Sequence, residues 1–277
     1  MSTQSRTPAS VTIEPRNREF DIRDALSRDW FGNDAFITAW HNSLSITFPL
    51  GEKFFIDSVR HYAGQITDEK LQGEIRAFCG QEGFHRREHE RYNKALCEQR
   101  GYDLELLEGR VRHRLNQARK MPPMTQLAIT VALEHITAVM AEYHLRADSP
   151  AKGRAEPVME QLWEWHGAEE LEHKSVAFDV YRAVGGSDEL RISVLRRITF
   201  LILWRTMTGM LHMFRKDGRL LSLSVWKQGG KFLFGQRGLF ALLKPNYKEF
   251  YRDDFHPWQN DTSDILESWH AGQSYAL

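Results

Sequence analysis

Apolar residues recur at steps of three and four along most of the 277-residue chain and form no convincing two-residue alternation. That period is helical. Asn33 or Asp34 is placed to cap a helix running past His41, which Pro49 should break or kink. A second helical stretch, roughly Gly51 to Gln65, gathers Phe54, Phe55, Ile56 and Val59 on one side. Thr67 and Asp68 open a long helix for which Gly101 is the stop. A charge-rich helix over about 103–119 ends at Met121-Pro122-Pro123. The segment MTQLAITVALEHITAVMAEYHLRAD is apolar round most of its circumference, the mark of a helix buried in a bundle. Ala155 to Val184 forms the next helix, closed by Gly185-Gly186, and Ser187 caps another that ends near Gly218.

Long helices joined by short connections predict an all-α protein. We expect a helical bundle over 31–218, preceded by a loosely packed segment (1–30) and followed by an aromatic, partly helical extension (219–277). The stretch Ile198–Phe214 comes nearest to a membrane span, but it is shorter than the ~20 residues required and contains Arg205 and His212. A buried bundle helix is the expectation. Peripheral membrane contact is the alternative, because Trp226, Phe232, Phe234, Phe240 and several basic residues follow.

Charge narrows the function classes. Lys plus Arg equals Asp plus Glu at 37 each, so nothing marks a nucleic-acid binder. Cys79 and Cys97 fall in one helix, about 27 Å apart at 1.5 Å per residue, beyond disulfide reach. That spacing, with no apolar run at the N-terminus, predicts a cytoplasmic protein.

The chemistry lies in polar residues set into apolar helices. GQEGFHRREHERYN (80–93) reads in two frames. His85-x-x-Glu88-His89 is the inverted zinc-protease motif, with Glu88 as base. Glu82-x-x-His85 is instead the helix half-site of a carboxylate-bridged dimetal centre. The second frame recurs as Glu170-x-x-His173, and a three-residue step returns a side chain to nearly the same helix face. Each pair is preceded by an isolated glutamate on an apolar helix, Glu52 and then Glu134. Four carboxylates facing one another in a core would be strongly unfavourable, whereas two divalent cations cancel their charge. His166 lies within the same arc as Glu170 and His173 and is placed as a further ligand. His89 is expected to support the site or relay protons, His135 to point away, and Glu88 to be a surface residue beside Arg87 and Arg91. The protease frame would leave Glu52, Glu134 and the whole 163–181 cluster without a role, so the dimetal frame is preferred.

LGEKFF, QEGFHRREHERYN, ALEHITA and WHGAEELEHKSVAFDVY together resemble a bacterial family of predicted metal-dependent hydrolases, over about 30–260. The site pattern also resembles ferritin-like di-iron oxygenases, particularly the arylamine N-oxygenase branch, in His166-x-x-x-Glu170-x-x-His173. The resemblance implies a ferritin-like bundle with two iron ions (manganese–iron or zinc as alternatives) held by Glu52, Glu82, His85, Glu134, His166, Glu170 and His173. Of these, Glu52, Glu134 and Glu170 are the residues expected to take part in the chemistry as shifting or bridging carboxylates. The expected function is O2 activation on a small apolar or amphipathic substrate, with an electron donor as a possible further partner and a homodimeric assembly. A dinuclear hydrolase and a metal-storage protein are the alternatives.

Overall fold

The computed structural model describes residues 4–274. The protein is all-α: among the described residues there is no β-strand, only one isolated bridge between Phe31 and Ala155. Helix α1 (Ala35–Ser45) starts where the Asp34 carboxylate accepts from the amides of Phe36 and Ile37. Helix α2 (Phe48–Ala63) follows almost at once, with Pro49 in its first turn. Proline separates the two helices from the position where its missing N–H costs least. Helix α3 (Glu69–Arg100) has an Asp68 cap and a left-handed Gly101 at its end (φ 66°). Helix α4 (Leu104–Ala118) is amphipathic and half exposed, and α5 (Pro123–Leu145) is mostly buried.

The expected single helix from Ala155 to Val184 is two, α6 (Pro157–His173) and α7 (Val176–Ala183). No proline or glycine announces this break. Tertiary contacts impose it: Lys174 is buried, donates to Asn260 O (2.7 Å) and Thr262 Oγ1 (2.9 Å), and lies 3.9 Å from the Trp258 ring centroid.

Helix α8 (Asp188–Lys216) packs on α5 and α1. The expectation that Ile198–Phe214 is a buried bundle helix needs correction. One face packs inward, but Phe200 (65%) and Trp204 (58%) are exposed. Among the described residues the helix long and apolar enough to cross a membrane is α5, most of whose apolar window is buried in the protein and which carries Glu134. Three further α-helices follow among the described residues. These are α9 (Leu223–Phe234), packed on α1; α10 (Leu239–Glu249), on α5 and α9; and α11 (Ser263–Ser274), on α6 and α5.

The segment before Trp30 was expected to be loose; its described part is not. Phe20, Ile22, Leu26 and Trp30 are buried, and Arg16 reaches into the protein to pair with Glu169 and Glu172. The core divides into two apolar clusters. Helices α2, α3, α5 and α6 supply the polar side chains considered next.

Candidate metal centre

The structure brings all seven candidate ligands together, every one of them buried. Glu52 on α2, His85 on α3 and His166 on α6 offer donor atoms within 4.8 Å of one another. Glu82 on α3 and Glu170 and His173 on α6 form a second such group. Glu134 from α5 joins the second, its Oε2 3.2 Å from His173 Nε2. Glu170 faces both groups. Its Oε1 lies 3.0 Å from His166 Nε2 and 3.6 Å from His85 Nδ1, while its Oε2 lies 3.6 Å from His173 Nε2.

Whether these atoms suit a cation can be tested on their spacing and partners. Donors about 2.1 Å from one ion, at right angles or tetrahedral angles, lie about 3.0–3.4 Å apart. The separations between Glu134 or Glu82 and His173 Nε2 are 3.2 and 3.4 Å. Both carboxylate oxygens of Glu52, Glu82 and Glu134, together with Glu170 Oε2, His85 Nδ1 and His173 Nε2, are buried without a hydrogen-bond partner. Native interiors rarely leave polar atoms so, and a cluster of carboxylate and imidazole atoms in this state fits a cation.

The surrounding residues also decide which ring nitrogens carry lone pairs. Asn93 Nδ2 donates to Ser45 O (3.0 Å), which fixes its amide, so Ser45 Oγ donates to Asn93 Oδ1 (2.7 Å) and accepts from His89 Nδ1 (2.8 Å). His89 Nε2 then accepts from His166 Nδ1 (2.7 Å), leaving the His166 Nε2 lone pair facing Glu170. A lone pair and a carboxylate oxygen need a cation or a proton between them. A second chain does the same for His173. Gln81 Nε2 donates to Glu172 (2.7 Å), so Gln81 Oε1 accepts from His173 Nδ1 (2.9 Å) and the Nε2 lone pair turns to the carboxylates. Behind His85, Nε2 lies 3.0 Å from Glu169 Oε2, and Glu169 is held by Arg16 and by the indole N–H of Trp165. Partners of this kind raise ligand basicity and hold ring orientation.

Of these supporting residues the sequence pointed to His89 alone. Glu169 lacks the three-residue step to His173, yet it is buried beside Glu170 and lies behind His85. Glu88 was expected at the surface. It is instead buried and paired with Arg87 and Arg91, and no contact carries it to the ligand cluster. His89 spends both ring nitrogens on Ser45 and His166, so the protease frame has lost its base and its second ligand. His135 points away, toward Tyr247 O and the Phe250 ring.

Without a cation the cluster must hold protons. Burial, then Glu170, pushes the Glu52 carboxyl well above its usual range, and burial, then Glu134, does the same to Glu82. Burial pushes Glu134 up to about 7. Burial opposes charge on Glu170 and His173, but is outweighed at both: His173 and then His166 hold Glu170 well below its usual value, and Glu134 and then Glu170 raise His173 to about 10. Burial keeps His85 and His89 neutral.

The sign of the pH dependence follows. Carboxyls whose folded pKa exceeds the unfolded value bind more protons when folded, so stability falls as pH rises. His173 adds to this loss only above its ordinary 6.5, and Glu170 matters only below 4.5. The buried histidines His41, His85, His89, His135 and His144, all held below their usual value, oppose this below pH 6.5, so the carboxyl share is read by comparison: relative to metal-free Glu134→Gln, the metal-free parent is expected to lose melting temperature between pH 4.5 and about 7, the window set by Glu134. Metal affinity should rise through the same window as protons leave. Melting curves with chelator and with metal, taken across that range, check both.

Removing one supporting residue should weaken the centre without unfolding it. Gln81→Leu is expected to lower metal affinity about 10–100-fold, read by competition against a chromophoric chelator, with the far-UV dichroism unchanged.

No curated protein and no solved structure matches this chain significantly. Residues 14–261, which contain every ligand candidate and every supporting residue described above, match the family described as predicted metal-dependent hydrolases, and the chain belongs to that family.

Proposed function

We propose that the protein is a carboxylate-bridged di-iron enzyme of ferritin-like build that activates O2 to oxidise an apolar or amphipathic organic molecule. The observation that carries this reading is Glu170, whose two oxygens face two separate ligand groups at the wall of a large apolar cavity. Carboxylates and imidazoles together favour iron or manganese over metals that prefer thiolates. When bound, such an ion pair supplies the redox equivalents and the O2 binding that no side chain here can provide.

The chain's own residues do the rest. Glu170 spans the two groups and ties their charge together. Glu52, neither of whose oxygens has a hydrogen-bond partner, would hold an ion together with His85 and His166. The His166–His89–Ser45–Asn93 chain offers a route for a proton at His166 Nδ1. Phe48 and Trp163, beside the His166 ring, keep water away from that side.

The family's description favours a second reading, in which the same ligands activate water for hydrolysis. One experiment separates the two. Metal-free protein is loaded anaerobically with two equivalents of Fe(II) and mixed with oxygenated buffer, while a zinc-loaded sample is assayed on aryl esters. Stoichiometric O2 consumption with a transient visible absorbance, and no ester cleavage, is the expected result. An iron form inert to O2 together with a zinc form that turns over esters would overturn the proposal.

A further inference from the structure

The cavity measures about 820 Å³, toward the upper end of the ~300–1,000 Å³ typical of small-molecule sites. Glu52, His166 and Glu170 form part of its inner wall. Beyond them it is lined by apolar side chains such as Phe55, Leu115, Leu133, Ile136 and Met140. Its exposed lining residues lie on α4, on the turn that follows, and on α8, so it opens between those helices. Leu106 (40% exposed), Met121 (44%) and Trp204 stand at this opening.

Three arginines share the opening: Arg110, Arg114 and Arg205. None is paired with a carboxylate. Arg205 Nη2 donates to Leu107 O (2.7 Å), while its Nε is buried with no partner. Burial and the nearby Arg110 lower the Arg205 pKa to about 10, so it remains charged at neutral pH. Arg110 reaches only Thr208 O, at 3.5 Å, and Arg114 has no ion pair or hydrogen bond among the described residues. The two acidic residues of α4, Glu108 and the cavity-lining Glu105, share the single Arg112, which leaves one carboxylate charge against three guanidinium charges. An apolar cavity with a net cationic mouth suits one chemical class. A neutral hydrocarbon leaves the guanidinium groups unused, and a cationic amphiphile is repelled by them.

We propose that the cavity takes a single-chain anionic amphiphile, an aliphatic chain ending in a carboxylate or phosphate monoester. The head lies on Arg110, Arg114 and Arg205, and the chain runs inward, so that a methylene rather than the head faces Glu52 and Glu170. Four carboxylates around two divalent ions leave the inner end without net positive charge, whereas the mouth is cationic, and this sets the direction. The inference rests on the proposed function for that direction alone; the ligand class follows from the cavity and its mouth.

Binding is therefore measured first on metal-free protein, by calorimetry below the critical micelle concentrations, with dodecanoate, dodecyl phosphate, dodecanol and dodecyltrimethylammonium. At least one anion is expected to bind roughly tenfold or more tighter than the alcohol, with the ammonium weakest. The exposed pair Arg110→Ala/Arg114→Ala should bring the anions down toward the alcohol's affinity and leave the alcohol unchanged. An alcohol or ammonium that binds as tightly as both anions, or anion binding indifferent to the arginines, would overturn the ligand class whatever the metals do. The direction is tested on cobalt-loaded protein. Dodecanol and the tighter anion should perturb the d–d spectrum alike; a spectrum unique to the anion would place its head on the metal and refute the orientation.

Discussion

Glu170→Ala should empty both halves of the centre at once. Its oxygens face His166 and His85 on one side and His173 on the other, so the substitution removes a donor from each group. Elemental analysis of protein loaded with excess metal and desalted is expected to find two ions in the parent and fewer than one in the variant. Stability should report the same loss. A ligand that binds only the folded state contributes about 4 kcal/mol per site at a thousandfold excess over Kd. Two sites would then contribute about 8 kcal/mol, on the order of 15–30 °C in melting temperature for a chain of this size. The variant should lose nearly all of this metal-induced rise. Glu134→Ala, which touches only the His173 group, should keep the ion held by Glu52, His85 and His166. A Glu170→Ala protein that still retains two ions would show that the carboxylate does not bridge.

Glu52→Leu should act with opposite signs in the two forms of the protein. Both Glu52 oxygens are buried and unpartnered, and the carboxyl is protonated at a cost when no ion is present. Leucine removes that unsatisfied group from an apolar wall, a gain of about 1–3 kcal/mol on mutational scales. The metal-free variant should therefore melt several degrees higher than the metal-free parent, at roughly 2–4 °C per kcal/mol. Its metal-induced rise should be about half the parent's, and the O2 consumption proposed above should fall with it. A metal-free variant that melts lower than its parent would mean that Glu52 has a stabilising partner there. The inverted sign is what distinguishes a residue kept for chemistry from one kept for the fold.

Much of the centre is legible before any folding is considered. The ExxH spacing puts Glu82 with His85, and Glu170 with His173, on single helix faces, because a helix of 3.6 residues per turn does so wherever it occurs. Glu52 and Glu134 stand out because charge in an apolar helix has to be matched by something. The residues behind the ligands are different. Nothing local in the sequence says that Gln81 meets Glu172, that Ser45 meets His89 and Asn93, or that Arg16 crosses to Glu169. Each of those contacts joins parts of the chain 44 or more residues apart.

The sequence by itself determined the helical class, most helix limits and the residue types and spacing that cluster as candidate metal ligands. These depend on periodicity, caps and charge balance, which act over one or two turns. Tertiary structure alone decided the break at Lys174, the packing of the segment before Trp30, the burial of Glu88 and Glu169, and the exposure of Phe200 and Trp204. It also decided that α4 and α8 leave an opening between them. Burial and partner choice follow from which faces meet, and a residue's position along its own helix does not carry that information.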